Sequence, residues 1–141
     1  MARILVIDDE FHLRDILREM LEMAGHEVFD APDGDIGIKM FKEKLPDLVI
    51  TDIIMPIKDG LEVITEIRRT DSRVNIIAIS GGHNNFDNLN TAKTLGADRT
   101  FNKPFDWNEL LKAVEELLGS CCSFKESKRN TGKSFLDLKT I

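Results

Sequence analysis

At 141 residues, with 42% hydrophobic and 31% charged side chains, the chain is one domain's worth of sequence and can bury a core without metal or disulfide help. A formal net charge of -6 excludes sequence-independent binding along a nucleic acid backbone, which basic residues drive. The only cysteines, Cys121 and Cys122, are adjacent, so they supply neither a disulfide framework nor spaced metal ligands and read as exposed thiols in a reducing compartment.

The first apolar run, Arg3-Ile4-Leu5-Val6-Ile7, predicts a strand that runs into Asp8 and Asp9. It is too short for a signal segment or a membrane span, so a soluble, monomeric, cytoplasmic protein without membrane contact is expected. Leu13, Ile16, Leu17, Met20, Leu21 and Ala24 recur at helical spacing, and Gly25 supplies a left-handed stop. Glu27 to Ala31 reads as a second strand, followed by a Pro-Asp-Gly turn and a helix around Ile36 to Lys42, whose Gly37 implies close packing on the sheet. Leu48-Val49-Ile50-Thr51 runs into Asp52, and the loop Ile53 to Gly60 leads to a helix carrying Leu61, Ile64 and Ile67. Val74 to Ile79 runs into Ser80. Phe86, Leu89, Ala92 and Leu95 predict a fourth helix over Asn85 to Leu95, and the short strand Thr100-Phe101-Asn102 then meets Lys103 and Pro104. Asp106 and Glu109 form a capping-box pattern ahead of a last helix with Leu110, Leu111, Val114, Leu117 and Leu118.

Beyond Gly119 the pattern stops, which places both cysteines past the last helix. Residues 120–141 carry Lys125, Lys128, Arg129, Lys133 and Lys139 against Glu126 and Asp137, a basic tail on an acidic chain. With Phe135, Leu136 and Leu138 as its apolar content, this tail is expected to be flexible, as a linker, a native extension or an artefact of expression. The expected organisation is a single domain over 1–119 and the tail over 120–141.

Strand and helix alternate five times, which predicts a doubly wound α/β fold with a parallel sheet and right-handed crossovers. In such sheets ligands sit beyond the carboxyl ends of the strands, so the polar stops Asp8, Asp9, Asp52, Ser80 and Lys103 mark a site. Clustered carboxylates resist ionising unless a cation sits among them, and Mg²⁺ suits oxygen ligands. With Mg²⁺ present the site accepts phosphate: Asp52 serves as nucleophile, Lys103 neutralises charge on the transferring group, and the Ser80 hydroxyl donates to a phosphoryl oxygen. Taken singly these residues have ordinary readings, Asp8 or Asp9 as a helix N-cap, Ser80 as a turn residue and Lys103 as a surface lysine. Asp52 does not, because its next helix starts only after the long loop and a charge at a buried strand end is costly.

Asp8-Asp9-Glu10, the run Pro46 to Pro56, Asp59-Gly60, Ser80, Gly96-Ala97-Asp98 and Lys103-Pro104-Phe105 closely resemble the receiver domains of two-component response regulators over residues 1–119. The resemblance implies a flavodoxin-like five-stranded sheet of order 2-1-3-4-5 with helices on both faces. It also implies Asp52 as phosphoacceptor, Asp9 and the Ile54 carbonyl as direct Mg²⁺ ligands, Asp8 acting through water, and Ser80 and Lys103 binding the phosphoryl group. A cis Lys103-Pro104 bond belongs to the same pattern. The implied protein is a regulatory phosphoacceptor that catalyses only its own phosphorylation and dephosphorylation. Its implied partners are a sensor histidine kinase or phosphotransfer protein and a downstream effector, with output through helix four, strand five and helix five and no direct nucleic acid contact. Thr100 departs from the aromatic residue common there, so the switch is expected to run through Ser80 and the Gly81-Gly82-His83 loop. A nucleotide or flavin module on the same fold would need a phosphate cradle in the first loop, where Asp8-Asp9-Glu10 would repel phosphate. A receiver that signals without phosphorylation is the other alternative, and the complete acidic set with Lys103 argues against it.

Overall fold

β1 (Arg3–Ile7) is buried from Ile4 onward, so it forms as a central strand needing apolar cover on both faces. The computed structural model describes residues 1–82 and 85–129. Chain order then runs α1 (Phe11–Met23), β2 (Glu27–Ala31), α2 (Gly34–Lys44), β3 (Leu48–Asp52), α3 (Gly60–Thr70), β4 (Asn75–Ser80), α4 (Asn85–Leu95), β5 (Arg99–Asn102) and α5 (Trp107–Arg129). All pairings are parallel and the sheet order is β2-β1-β3-β4-β5, the flavodoxin-like order.

This order reverses direction at β1. With right-handed crossovers, the step back from β1 to β2 puts α1 on one face, while the steps onward to β3, β4 and β5 put α2, α3 and α4 on the other. Leu5, Ile7, Val49, Ile76 and Ala78 pack with Ile38, Phe41, Val63, Ile64 and Ile67 in the core beneath α2, α3 and α4. Strand alternation sends Ile4, Val6, Leu48, Ile50, Ile77 and Ile79 to the opposite face. Gly37 is required by close approach, since a Cβ there would stand 2.5 Å from Ile7 Cδ1. α2 is capped by Asp33, whose side chain accepts from the Ile36 N–H, and α3 by an Asp59–Glu62 capping box.

The crevice where the order reverses opens beyond the carboxyl ends of β1 and β3. Asp8 and Asp9 follow β1, Asp52 ends β3 and Ser80 ends β4, so the sheet delivers the polar stops to one edge.

Residues 107–129 belong to a second compact unit. Its helix differs from expectation: α5 continues past Gly119 to Arg129, so Cys121 and Cys122 lie on helical backbone. A glycine costs about 1 kcal/mol inside a helix, too little to end one without a proline or a left-handed cap behind it. The remainder of the expected tail, 130–141, lies outside the described residues, as does His83.

Candidate metal and phosphoryl site

Asp8, Asp9 and Asp52 each offer a carboxylate oxygen within 4.8 Å of the others. Asp8 and Asp52 are buried and Asp9 is exposed, so the cluster opens to solvent on one side. Neither Asp8 nor Asp9 caps α1, whose N-cap is Glu10. Instead Asp8 Oδ1 accepts from the Glu10 N–H at 2.8 Å, and the Arg14 guanidinium, reaching back from α1, donates to the Asp8 carbonyl at 2.8 Å. One oxygen of Asp8 thus shapes its own loop and the other faces the site.

Lys103 is the cation of the cluster. Its Nζ donates to Asp52 Oδ2 at 3.3 Å and stands 3.6 Å from Asp8 Oδ2 and 3.9 Å from Glu10 Oε1. Its backbone N–H donates to the Ser80 carbonyl at 2.8 Å, which fixes the end of β5 against the end of β4. The Lys103–Pro104 bond is cis, as the resemblance implies.

Burial pushes the Asp8 carboxyl up to about 6; the Asp52 and Asp9 charges push the same way, against the Glu10 N–H and Lys103. Burial also raises Asp52, which Lys103 pulls back. For Lys103, burial works against the charged form but Asp52 and Asp8 outweigh it, so its value is raised. Three acids facing one ammonium leave an excess of negative charge at a solvent-open edge. A hard divalent cation with oxygen ligands satisfies that donor set. The Ser80 hydroxyl adds a second indication, because its Oγ is buried at the carboxyl end of β4 with no hydrogen-bond partner among the described residues.

The structure therefore brings Asp8, Asp9, Asp52 and Lys103 together and puts Ser80 at the same edge. Ile54 lies in the β3–α3 loop with its side chain half exposed. Thr100 is half-buried on β5, in register with Ala78 of β4. Gly82 has φ 118°, a conformation that favours glycine. Gly81 differs from the hinge that paired glycines suggest: a Cβ there would stand 2.8 Å from Lys103 Cβ, so its lack of a side chain makes room for the lysine. Sequence reasoning missed Arg14 and Glu10 as supports of the site. Glu10 alone carried a signal, as the third acid of the first loop.

A family model described as the response regulator receiver domain matches residues 4–115. The chain is 34% identical to the chemotaxis protein CheY of Halobacterium salinarum over 116 residues, which covers 82% of this chain and 96% of that one. It is 40% identical over 116 residues to the probable transcriptional regulator ycf27 of Guillardia theta, covering 82% of this chain but only 45% of that longer protein. Among solved structures, the response regulator TrrA of Thermotoga maritima, in complex with Mg²⁺–BeF, is 38% identical with a TM-score of 0.75, covering 83% of this chain and 99% of that one.

Proposed function

Because the chain belongs to the response regulator receiver domain family of two-component systems, we propose that Asp52 is its phosphoacceptor and that phosphorylation of this carboxylate is its function. Receiver domains are regulatory phosphoacceptors that bind Mg²⁺ at an acidic pocket and work between histidine kinases and effectors. The observation that carries the reading is Asp52 itself: buried, paired with Lys103 at 3.3 Å, and grouped with Asp8 and Asp9 within 4.8 Å.

Asp9, Asp52 and the Ile54 carbonyl would hold Mg²⁺ directly and Asp8 through water. When bound, the ion neutralises charge on the transferring phosphoryl group. An Asp52 oxygen attacks the phosphorus of a phosphohistidine on a sensor kinase or phosphotransfer protein. The P–N bond breaks and its electron pair stays on the imidazole nitrogen. Lys103 then exchanges its partner from the Asp52 carboxylate to the phosphoryl oxygens, and Ser80 Oγ donates the hydrogen bond for which it has no acceptor among the described residues. Hydrolysis of the acyl phosphate at the same site reverses the state.

Signal output follows from these two movements. Ser80 is drawn toward the phosphoryl group, and the Gly81–Gly82 backbone rearranges with it. Thr100, smaller than the aromatic residue common there, neither fills nor gates the space that Ser80 leaves. The output face is proposed to be that of helix four, strand five and helix five, read by an effector protein without direct nucleic acid contact by this domain. This reading places the chain in the cytoplasm; no helix among the described residues is long and apolar enough to cross a membrane.

Incubation with a small acyl phosphate and Mg²⁺, followed by intact-mass measurement, tests the proposal. One added phosphoryl group is expected, not formed when the metal is chelated beforehand and absent in Asp52→Asn. A stable phosphoryl mass gained by Asp52→Asn at the wild-type rate would overturn the assignment.

A further inference from the structure

The segment between β3 and α3 would carry the Ile54 carbonyl to the metal, yet its middle is poorly suited to holding a shape of its own. Ile54 and Ile57 are exposed, and Ile57 has φ 71°, a left-handed conformation that a β-branched side chain rarely adopts. Backbone bonds secure its ends, Ile53 N–H to Ile79 O at 2.9 Å and Gly60 N–H to Ile53 O at 2.8 Å, while in the middle Lys58 N–H donates to Pro56 O at 2.8 Å, a bond local to the loop that ties it to no neighbouring element. Only Met55 sinks into the core between them.

Lys58 supplies what the middle lacks. Its ammonium bonds Glu66 of α3 and lies 3.6 Å from Asp35 in the first turn of α2. Its main chain also passes close against α2, since a Cβ on Gly34 would stand 2.5 Å from the Lys58 carbonyl oxygen. The Lys58 side chain is 22% exposed and Glu66 32%, so that arm is partly enclosed, while Asp35 at 61% exposed forms the solvated arm of the bridge.

We propose that Lys58 is a positioning residue of the metal site, clamping the β3–α3 loop to α2 and α3 so that the Ile54 carbonyl is presented to the cation. The inference rests on the Mg²⁺ reading above and adds a residue that touches neither ion nor phosphate. Groups that orient the ligands of a metal are worth about 10-fold or more in affinity when removed.

The test compares wild type, Lys58→Met and Lys58→Arg. Mg²⁺ titration by calorimetry is expected to show affinity falling about 10-fold in Lys58→Met and within about 2-fold of wild type in Lys58→Arg, which can still bridge two carboxylates. Phosphorylation of Lys58→Met should regain the wild-type maximal rate at saturating Mg²⁺, a pattern that general destabilisation would not produce. In metal-free protein, amide exchange at Lys58 and Gly60 should quicken in Lys58→Met, with the core strands unchanged. Wild-type Mg²⁺ affinity in Lys58→Met would overturn the clamp. If wild type itself binds no Mg²⁺, the metal reading fails and the positioning role falls with it, while quickened metal-free exchange would still separate that failure from an idle Lys58.

Discussion

Gly81 lies so close to Lys103 that a Cβ on the glycine would stand 2.8 Å from Cβ of the lysine. The atom it meets is the root of the lysine side chain, which cannot swing aside as its far end could. Gly81→Ala is therefore expected to shift Lys103 by a few tenths of an ångström, loosen its pairing with Asp52, and cost about 1–2 kcal/mol in denaturant unfolding. Gly82→Ala meets open space but inherits φ 118°, so it should cost about 1 kcal/mol and leave Lys103 in place. NMR of the Lys103 ammonium and of the Asp52 titration separates the two. Unchanged signals in Gly81→Ala would refute the close-packing role.

The same cluster makes stability depend on pH with an unusual sign. Burial holds the Asp8 carboxyl near 6 against an ordinary value of 3.8, so between those values the folded chain keeps a proton that the unfolded chain releases. Stability contributed by Asp8 is thus lost as pH rises through that window, and the deficit is fully present at neutral pH. Asp8→Asn, which can still accept from the Glu10 N–H, should stabilise the Mg²⁺-free protein by about 1–3 kcal/mol at neutral pH and by little near the ordinary value. Mg²⁺ selects the ionised carboxylates, so wild-type affinity should fall as pH drops below about 6. Urea midpoints at both pH values check the first expectation, and a less stable Asp8→Asn at neutral pH would contradict it.

Far from the site, Arg68 ties the end of α3 to the turn between α4 and β5. Its guanidinium donates to the Gly96 carbonyl at 2.8 and 3.1 Å, to Val74 O at 2.7 Å and to Asp71 O at 3.2 Å, and it pairs with Asp98 Oδ2 at 3.1 Å. Asp98 Oδ2 in turn accepts from the Ile76 N–H on β4. Arg68→Met keeps the stem but leaves several acceptors without donors, and should cost about 2–4 kcal/mol in urea unfolding. Lysine should recover only part, lacking the planar fork. A loss below about 0.5 kcal/mol would show that water replaces these bonds freely.

Arg68, Lys58 and Gly81 mark where sequence reading stops. The strands were legible because each is a short apolar run bounded by polar residues, and Asp52 stood out because a charge at a buried strand end with no helix to cap needs a reason. Arg68 and Lys58 look like ordinary solvated charges along the chain; only the packing of α3 against its neighbours turns them into staples. Gly81 reads as freedom beside Gly82, yet its position is set by a lysine just past the end of β5. The run of α5 past Gly119 was hidden for a local reason, since the glycine resembles a stop but no proline or left-handed cap follows to enforce one.

Ser80 offers the sharpest separation of resting stability from function. Its Oγ is buried without a hydrogen-bond partner among the described residues, and an unpaired buried hydroxyl costs about 1–3 kcal/mol. A well-formed core would not keep that cost unless another state of the protein supplied the partner. Ser80→Ala removes the hydroxyl with little change of volume, so the resting protein should gain about 1 kcal/mol in urea unfolding. The phosphorylated state then loses a donor to its phosphoryl oxygen, and the rate of Asp52 phosphorylation should fall about 10–100-fold. Ser80→Thr retains the donor and should stay close to the wild-type rate. Stopped-flow phosphorylation with a small acyl phosphate, alongside equilibrium unfolding of the same variants, reads both effects. A Ser80→Ala protein that is phosphorylated at the wild-type rate would remove Ser80 from the site, whatever its stability.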